Sequence, residues 1–148
     1  MERQDYSHKL KHAGLRYEIG LALGCSKIVH IGGGVPAGLW SDLKLARHCL
    51  VKRMTAGEQA AADLGYWDQD KWFMTPFENP SSEYERTFNR QLKLVMARHE
   101  TVNKRFKDFE ALSTRTFRHI RQQHCLFFQA IAMIIQLSLQ EPAGTPLG

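Results

Sequence analysis

Two carboxylates in this sequence have neighbours that suit metal-assisted phosphodiester chemistry, Asp63 and Glu100, 37 residues apart. Asp63 follows the small-residue run Ala60-Ala61-Ala62 and precedes Gly65-Tyr66. That pattern predicts a short strand ending near Asp63, and α/β proteins tend to bind ligands at strand ends. Glu100 lies one residue off an apolar helical seam, and Lys93, Ala97, Lys104 and Lys107 share its face at spacings of 7, 3, 4 and 7. A carboxylate framed by lysines can ligate Mg²⁺ while the ammonium groups hold phosphates. Two cations held ~3.5–4 Å apart would polarise the scissile phosphate and stabilise the leaving oxygen. The same residues also have a plainer reading, with Glu100 and Lys104 as an i,i+4 surface pair and Asp63 as a turn-former.

The elements that would position them follow from periodicity. Met1 to Ala13 is polar and reads as an entry segment without a core of its own. Leu15–Leu23 and Lys27–Ile31 predict a hairpin joined by Gly24-Cys25-Ser26, after which Gly32-Gly33-Gly34 and Pro36 predict a loop. Ser41 or Asp42 can cap a helix to about Val51, with Leu43, Ala46, Cys49 and Leu50 inward. Short strands are predicted within Glu58–Gly65 and Lys71–Thr75, then a turn at 79–82. Phe88, Leu92, Val95, His99, Val102, Phe106 and Phe109 form one continuous seam of a long helix, with His99 read as a satisfied core histidine. A last helix from about Phe117 to Gln140, nearly all apolar beyond Cys125, is expected to be largely buried. The order β-β-α-β-β-α-α predicts a mixed α/β fold, one sheet covered by helices.

Charge and composition narrow the function classes. The chain has 148 residues and a net charge of +5. Residues 81–122 hold ten Lys/Arg against five Asp/Glu and the rest hold ten against ten, so the whole excess lies in one segment. A concentrated basic stretch favours a polyanion partner through counterion release, although a solvated helix face has the same composition. Cys25, Cys49 and Cys125 form no CxxC pair, and they read as structural thiols in a reducing compartment. The apolar run Cys125–Leu139 is too short to span a bilayer, so no membrane role is expected.

Several ordered motifs carry a resemblance. Tyr6-Ser7-His8-Lys9 with Gly14-Leu15-Arg16-Tyr17-Glu18 is similar to the segment that enters the second strand of the DDE superfamily endonuclease domain in Harbinger-type transposases and their domesticated relatives. Gly34 to Asp42 resembles that family's glycine/proline loop, which ends in an acidic residue at a helix start. Ala62-Asp63-Leu64-Gly65-Tyr66 resembles its AD-x-GY motif, and Ala97-Arg98-His99-Glu100-Thr101-Val102-Asn103-Lys104-Arg105-Phe106-Lys107 resembles its ARHE-x-VN-x-R-x-K helix.

The resemblance implies a ribonuclease-H-like domain over residues 1–140, truncated before its first strand, with two long C-terminal helices and a tail at 141–148. It implies that Asp63 and Glu100 are the second and third catalytic metal ligands for Mg²⁺ or Mn²⁺. Asp42 is an accessory acidic residue, with a capping or substrate-loop role ahead of a metal one. DNA is the implied partner, contacted through Lys93, Arg98, Lys104, Arg105 and Lys107, together with a separate DNA-binding accessory protein in the nucleus. The family's first Asp lies upstream of the Ser-His-Lys segment, and Asp5 is too close to serve. The expectation is therefore an incomplete site in a fragment or degenerate copy, inactive alone.

Two other readings compete. A non-catalytic remnant would use the basic helix 83–110 to bind DNA or protein. A nucleotide-binding enzyme would cradle phosphate at Gly32-Gly33-Gly34, but the next glycine is Gly38, Pro36 interrupts, and no helix starts directly after the glycines.

Overall fold

The computed structural model describes residues 6–7, 12–25, 27–67, 71–113 and 120–140. It is a mixed α/β arrangement of small sheets and three helices. The strands are β1 (Tyr6–Ser7), β2 (His12–Ala13), β3 (Leu15–Leu21), β4 (Ile28–Pro36), β5 (Ala60–Ala61) and β6 (Phe73–Met74). The helices are α1 (Asp42–His48), α2 (Glu83–Lys107) and α3 (Arg121–Gln140). Among the described residues the strands form three separate two-stranded ladders instead of the single sheet expected: antiparallel β1–β2 and β3–β4, and parallel β5–β6. The polar N-terminal stretch thus contains a short paired ladder. The tail at 141–148 and the predicted start of the last helix near Phe117 lie outside the described residues.

The hairpin is longer than the glycine run predicts, because the glycines are part of it. Arg16 pairs with Val35 and Tyr17 with Gly33, so Gly34 is an extra residue on β4. Gly33 and Gly34 have φ of +105° and +75°, and a Cβ on Gly33 would lie 2.4 Å from the Arg16 carbonyl oxygen. A bulge accommodates an extra residue where a glycine adopts positive φ, so the triplet bends the strand instead of ending it. A second register shift leaves Val29 unpaired and exposed. The connection is also longer than three residues, since β3 stops at Leu21 and Ala22 N–H donates to the Lys27 carbonyl.

Alternation along β3 sends Tyr17, Ile19 and Leu21 to one face, where with Ile28 and Ile31 they meet Val102, Phe106, Phe128, Ile131, Ala132 and Ile135 of α2 and α3. Tyr17 stacks on Phe128 with centroids 3.8 Å apart, and Phe128 stacks on Phe106 at 4.9 Å. The Tyr17 hydroxyl donates to His124 Nδ1 at 2.7 Å, and His124 Nε2 donates to the Leu112 carbonyl. A second cluster joins Ala46, Ala62 and Phe73 beneath Leu43, Leu50, Tyr66 and Trp72.

Local signals account for the helix ends. Ser41 caps α1 by accepting from Lys44 N–H, and the helix stops at His48, giving way to a 3₁₀ turn at Val51–Arg53. Its most buried residues are Leu45 and Ala46; Leu45 was absent from the predicted inner face. Ser82 and Glu85 form a reciprocal capping box at the start of α2, a helix of 25 residues. Of the α2 seam, Leu92, Val102 and Phe106 are buried and the other members half-buried. His99 donates from Nε2 to the Ile19 carbonyl at 2.9 Å and accepts from Asn103 at Nδ1, as a satisfied core histidine would.

Helix α3 departs most from expectation. It buries one face, His124, Phe128, Ile131, Ala132 and Ile135, while Leu126, Phe127, Met133, Ile134 and Leu137 are exposed. The described residues supply a covering layer on only one side, so an apolar composition all round does not bury the helix all round. No helix among the described residues is long and apolar enough to cross a membrane.

Gly34→Ala should cost ~1–3 kcal/mol in urea unfolding, from positive-φ strain and from a Cβ placed 2.4 Å from Cys125 Sγ. Repeating it in a Cys125→Ala background should recover the steric part only. Equal costs in both backgrounds would remove the Cys125 contact from this account.

Candidate functional site

Asp63 lies two residues beyond the end of β5 and caps a 3₁₀ turn at Leu64–Tyr66, its Oδ1 accepting from Gly65 N–H at 2.9 Å. It is exposed, and Ala62 before it is anchored in the second core cluster. Parallel pairing of Ala60 with Phe73 and Ala61 with Met74, extended by Ala62 N–H donating to the Met74 carbonyl, fixes where the strand delivers it. The expected strand-end placement of this carboxylate is therefore present.

Three further ionisable groups, Glu18, Asp42 and Arg16, act with Asp63 on Tyr66 of the adjoining turn. Glu18 is buried, with Oε2 3.0 Å from His30 Nε2, while its Oε1 has no partner. Arg16 bonds Asp42 through Nη1 and leaves a buried Nε unpaired. The Tyr66 hydroxyl is pushed up chiefly by burial and then by the charges of Asp42, Glu18 and Asp63, with Arg16 acting in the opposite sense. Tyr66 thus lies within electrostatic reach of three carboxylates and one guanidinium.

Burial, reinforced by Asp42, raises the Glu18 carboxyl to about 7. Burial, reinforced by Arg53, lowers His30. Both directions favour an uncharged pair near neutrality, because desolvation penalises the separated charges before any mutual attraction offsets it.

Glu100 lies apart from this group in its contacts. It is solvent-facing on α2, with Oε1 3.6 Å from Lys107 Nζ and both side chains about 70% exposed (70% and 73%). Such a pair contributes ~0–1 kcal/mol. Asp42 opens α1, but Ser41 does the capping and the Asp42 carboxylate is engaged by Arg16. Of the basic residues expected to meet DNA, Arg98 donates to the Cys25 carbonyl and Arg105 to Ser138 Oγ, so both also tie α2 to the fold. Lys93 and Lys104 are exposed.

Carboxylate oxygens suit a hard divalent cation in kind, and Asp63 Oδ2 has no protein partner among the described residues. In number the donors fall short, since no group of three or more His, Cys, Asp or Glu among the described residues is placed to hold a metal ion. These residues do not by themselves complete a cation cage.

A family model described as DDE superfamily endonuclease matches residues 1–136. The chain belongs to the DDE superfamily of endonucleases. Neither the curated proteins nor the solved structures offer a match to it. Membership places this DDE endonuclease chain among nucleases derived from transposases, whose substrate is DNA and whose chemistry generally uses divalent metals.

The buried pair Glu18–His30 was not singled out from the sequence. The available signal was a lone acid between Tyr17 and Ile19 on a strand whose other residues alternate. Reading it required the hairpin register, which the bulges at Gly34 and Val29 displace.

The sign of the pH effect follows from Glu18. Its folded value is raised, so its contribution to stability is full below about 4.5 and is lost as pH rises through about 7. His30 acts oppositely, its contribution falling as pH drops below 6.5. Glu18→Gln removes only the first effect and keeps an acceptor or donor for His30. Relative to wild type it should gain roughly 1–3 kcal/mol between pH 5 and pH 8 in chemical denaturation. A difference that does not change with pH would overturn the assignment of a buried, proton-holding Glu18.

Proposed function

We propose that this chain is the metal-dependent nuclease domain of a Harbinger-type transposase relative, with Asp63 and Glu100 as two of its catalytic carboxylates and an acidic set that is incomplete without a third. The match over residues 1–136 is the observation that carries this reading. The AD-x-GY and ARHE motifs support the finer placement within the superfamily, and with it a ribonuclease-H-like architecture. Mg²⁺ or Mn²⁺ is the proposed cation, which would act on DNA phosphodiesters by polarising the phosphate and activating water. The role proposed for Asp63 and Glu100 is to hold that cation. Asp42, engaged with Arg16, supports the neighbouring loop. Action in the nucleus beside a DNA-binding accessory protein completes the reading.

Two carboxylates hold a hard cation weakly, so the chain by itself is expected to bind metal measurably without efficient cleavage. Mn²⁺ titrations followed by water-proton relaxation should show saturable binding, weakened at least tenfold by Asp63→Asn and by Glu100→Gln. Identical curves for all three proteins would sink the site assignment without touching family membership.

The exposed lysines on α2 favour a second reading, a non-catalytic DNA-binding remnant. It predicts DNA binding that falls steeply with salt, ignores EDTA and is lost on charge reversal at Lys93, Lys104 and Lys107. Unchanged affinity in that triple variant would eliminate it.

A further inference from the structure

The outer edge of β4 borders a cleft that neither reading above uses. Among the described residues no strand pairs with β4 on that side. Helix α3 covers part of the edge, where Ile28 N–H donates to Gln136 Oε1 at 2.6 Å. Two helical turns earlier, Gln129 faces a cavity of about 460 Å³ whose floor includes Gly32 and Gly33. The wall opposite α3 is the turn after α1, with Lys52 and Arg53.

Both cations are exposed, and neither forms an ion pair with a carboxylate among the described residues. Elsewhere Arg16, Arg86 and Lys107 are each matched to an acid. Gly32 and Gly33 line the cleft without side chains, and packing requires glycine at 32 because a Cβ there would meet Cys49 Cβ at 3.1 Å and His30 Nε2 at 3.0 Å. The C-terminal dipole of α1 opposes an anion here by about half a charge at most, against two full positive charges. Cations without acids beside a polar amide and exposed backbone make a setting for a phosphate group.

We propose that this cleft binds a phosphate-bearing ligand, with Lys52 and Arg53 neutralising the phosphate and Gln129 hydrogen-bonding to it. The phosphate can belong to a free nucleotide-type ligand or to a nucleic-acid backbone, which share this chemistry. Neither Asp63 nor Glu100 lines this cleft, and binding there needs no metal.

The test is calorimetric titration of the full chain with inorganic pyrophosphate in EDTA, so that no metal–phosphate complex intervenes. Wild type should bind, and K52Q/R53Q should bind at least tenfold more weakly while melting at the same temperature, both side chains being exposed. Gln129→Leu should show a smaller loss, two- to fivefold. Asp63→Asn with Glu100→Gln should bind pyrophosphate as wild type does, which keeps this outcome independent of the proposed nuclease site. A single-stranded oligonucleotide then separates the sources. Displacement by pyrophosphate, with the same loss in K52Q/R53Q, assigns the cleft to backbone phosphate; oligonucleotide binding indifferent to both assigns it to a free ligand. No pyrophosphate binding by wild type, equal binding by K52Q/R53Q, or loss in the Asp63/Glu100 variant would overturn the proposal.

Discussion

The stack of Tyr17 on Phe128 lies at the centre of the contacts that join the hairpin to the two long helices. It exists because Gly34 absorbs an extra residue in β4, leaving Tyr17 opposite Gly33, where no side chain competes for the space. The ring is then held at both ends, by Phe128 across its face and by His124 at its hydroxyl. Aromatic pairs of this geometry contribute about 0.5–1.5 kcal/mol beyond the area they bury. Their larger effect here is to fix the strand's rotation. With Tyr17 directed at α3, Glu18 must point the other way, toward α1 and the Asp42–Arg16 pair.

That opposite face has different physics. One side of the hairpin is close-packed hydrocarbon, while the other holds an acid and an imidazole taken out of water together. Each would be costly there in its charged form, and the hydrogen bond between them lets both remain uncharged. Glu18 Oε1 and Arg16 Nε are left without partners, so the polar side is incompletely satisfied where the apolar side is well packed. Buried polar groups in deficit are more common near functional surfaces than in structural cores.

Much of this arrangement could be read from residue order. The seam of α2, the strand end before Asp63 and the role of His99 all follow from local patterns, and the structure retains them. What the sequence concealed depended on partners distant in the chain. The glycine triplet reads as a loop unless Arg16 and Tyr17 are known to lie opposite. Leu45 reads as a surface position from the spacing of α1, yet it is among the most buried side chains. The composition of α3 carries no record of how many sides are covered. For the site, the motifs pointed to Asp63 and Glu100, but whether their carboxylates act together depends on geometry that spacing along the chain does not contain.

The uncovered side of α3 also bears on how the protein behaves in bulk. Leu126, Phe127, Met133, Ile134 and Leu137 lie toward water on a helix whose other side is core. Apolar surface left hydrated forgoes roughly 25 cal/mol for each Å², and charge elsewhere on the molecule does not relieve it locally. Repulsion from the net positive charge keeps copies apart at low ionic strength, while salt weakens that repulsion and leaves hydrocarbon contact unopposed. The last helix therefore contributes a salt-dependent tendency to associate, set by a segment other than those that carry Asp63 and Glu100.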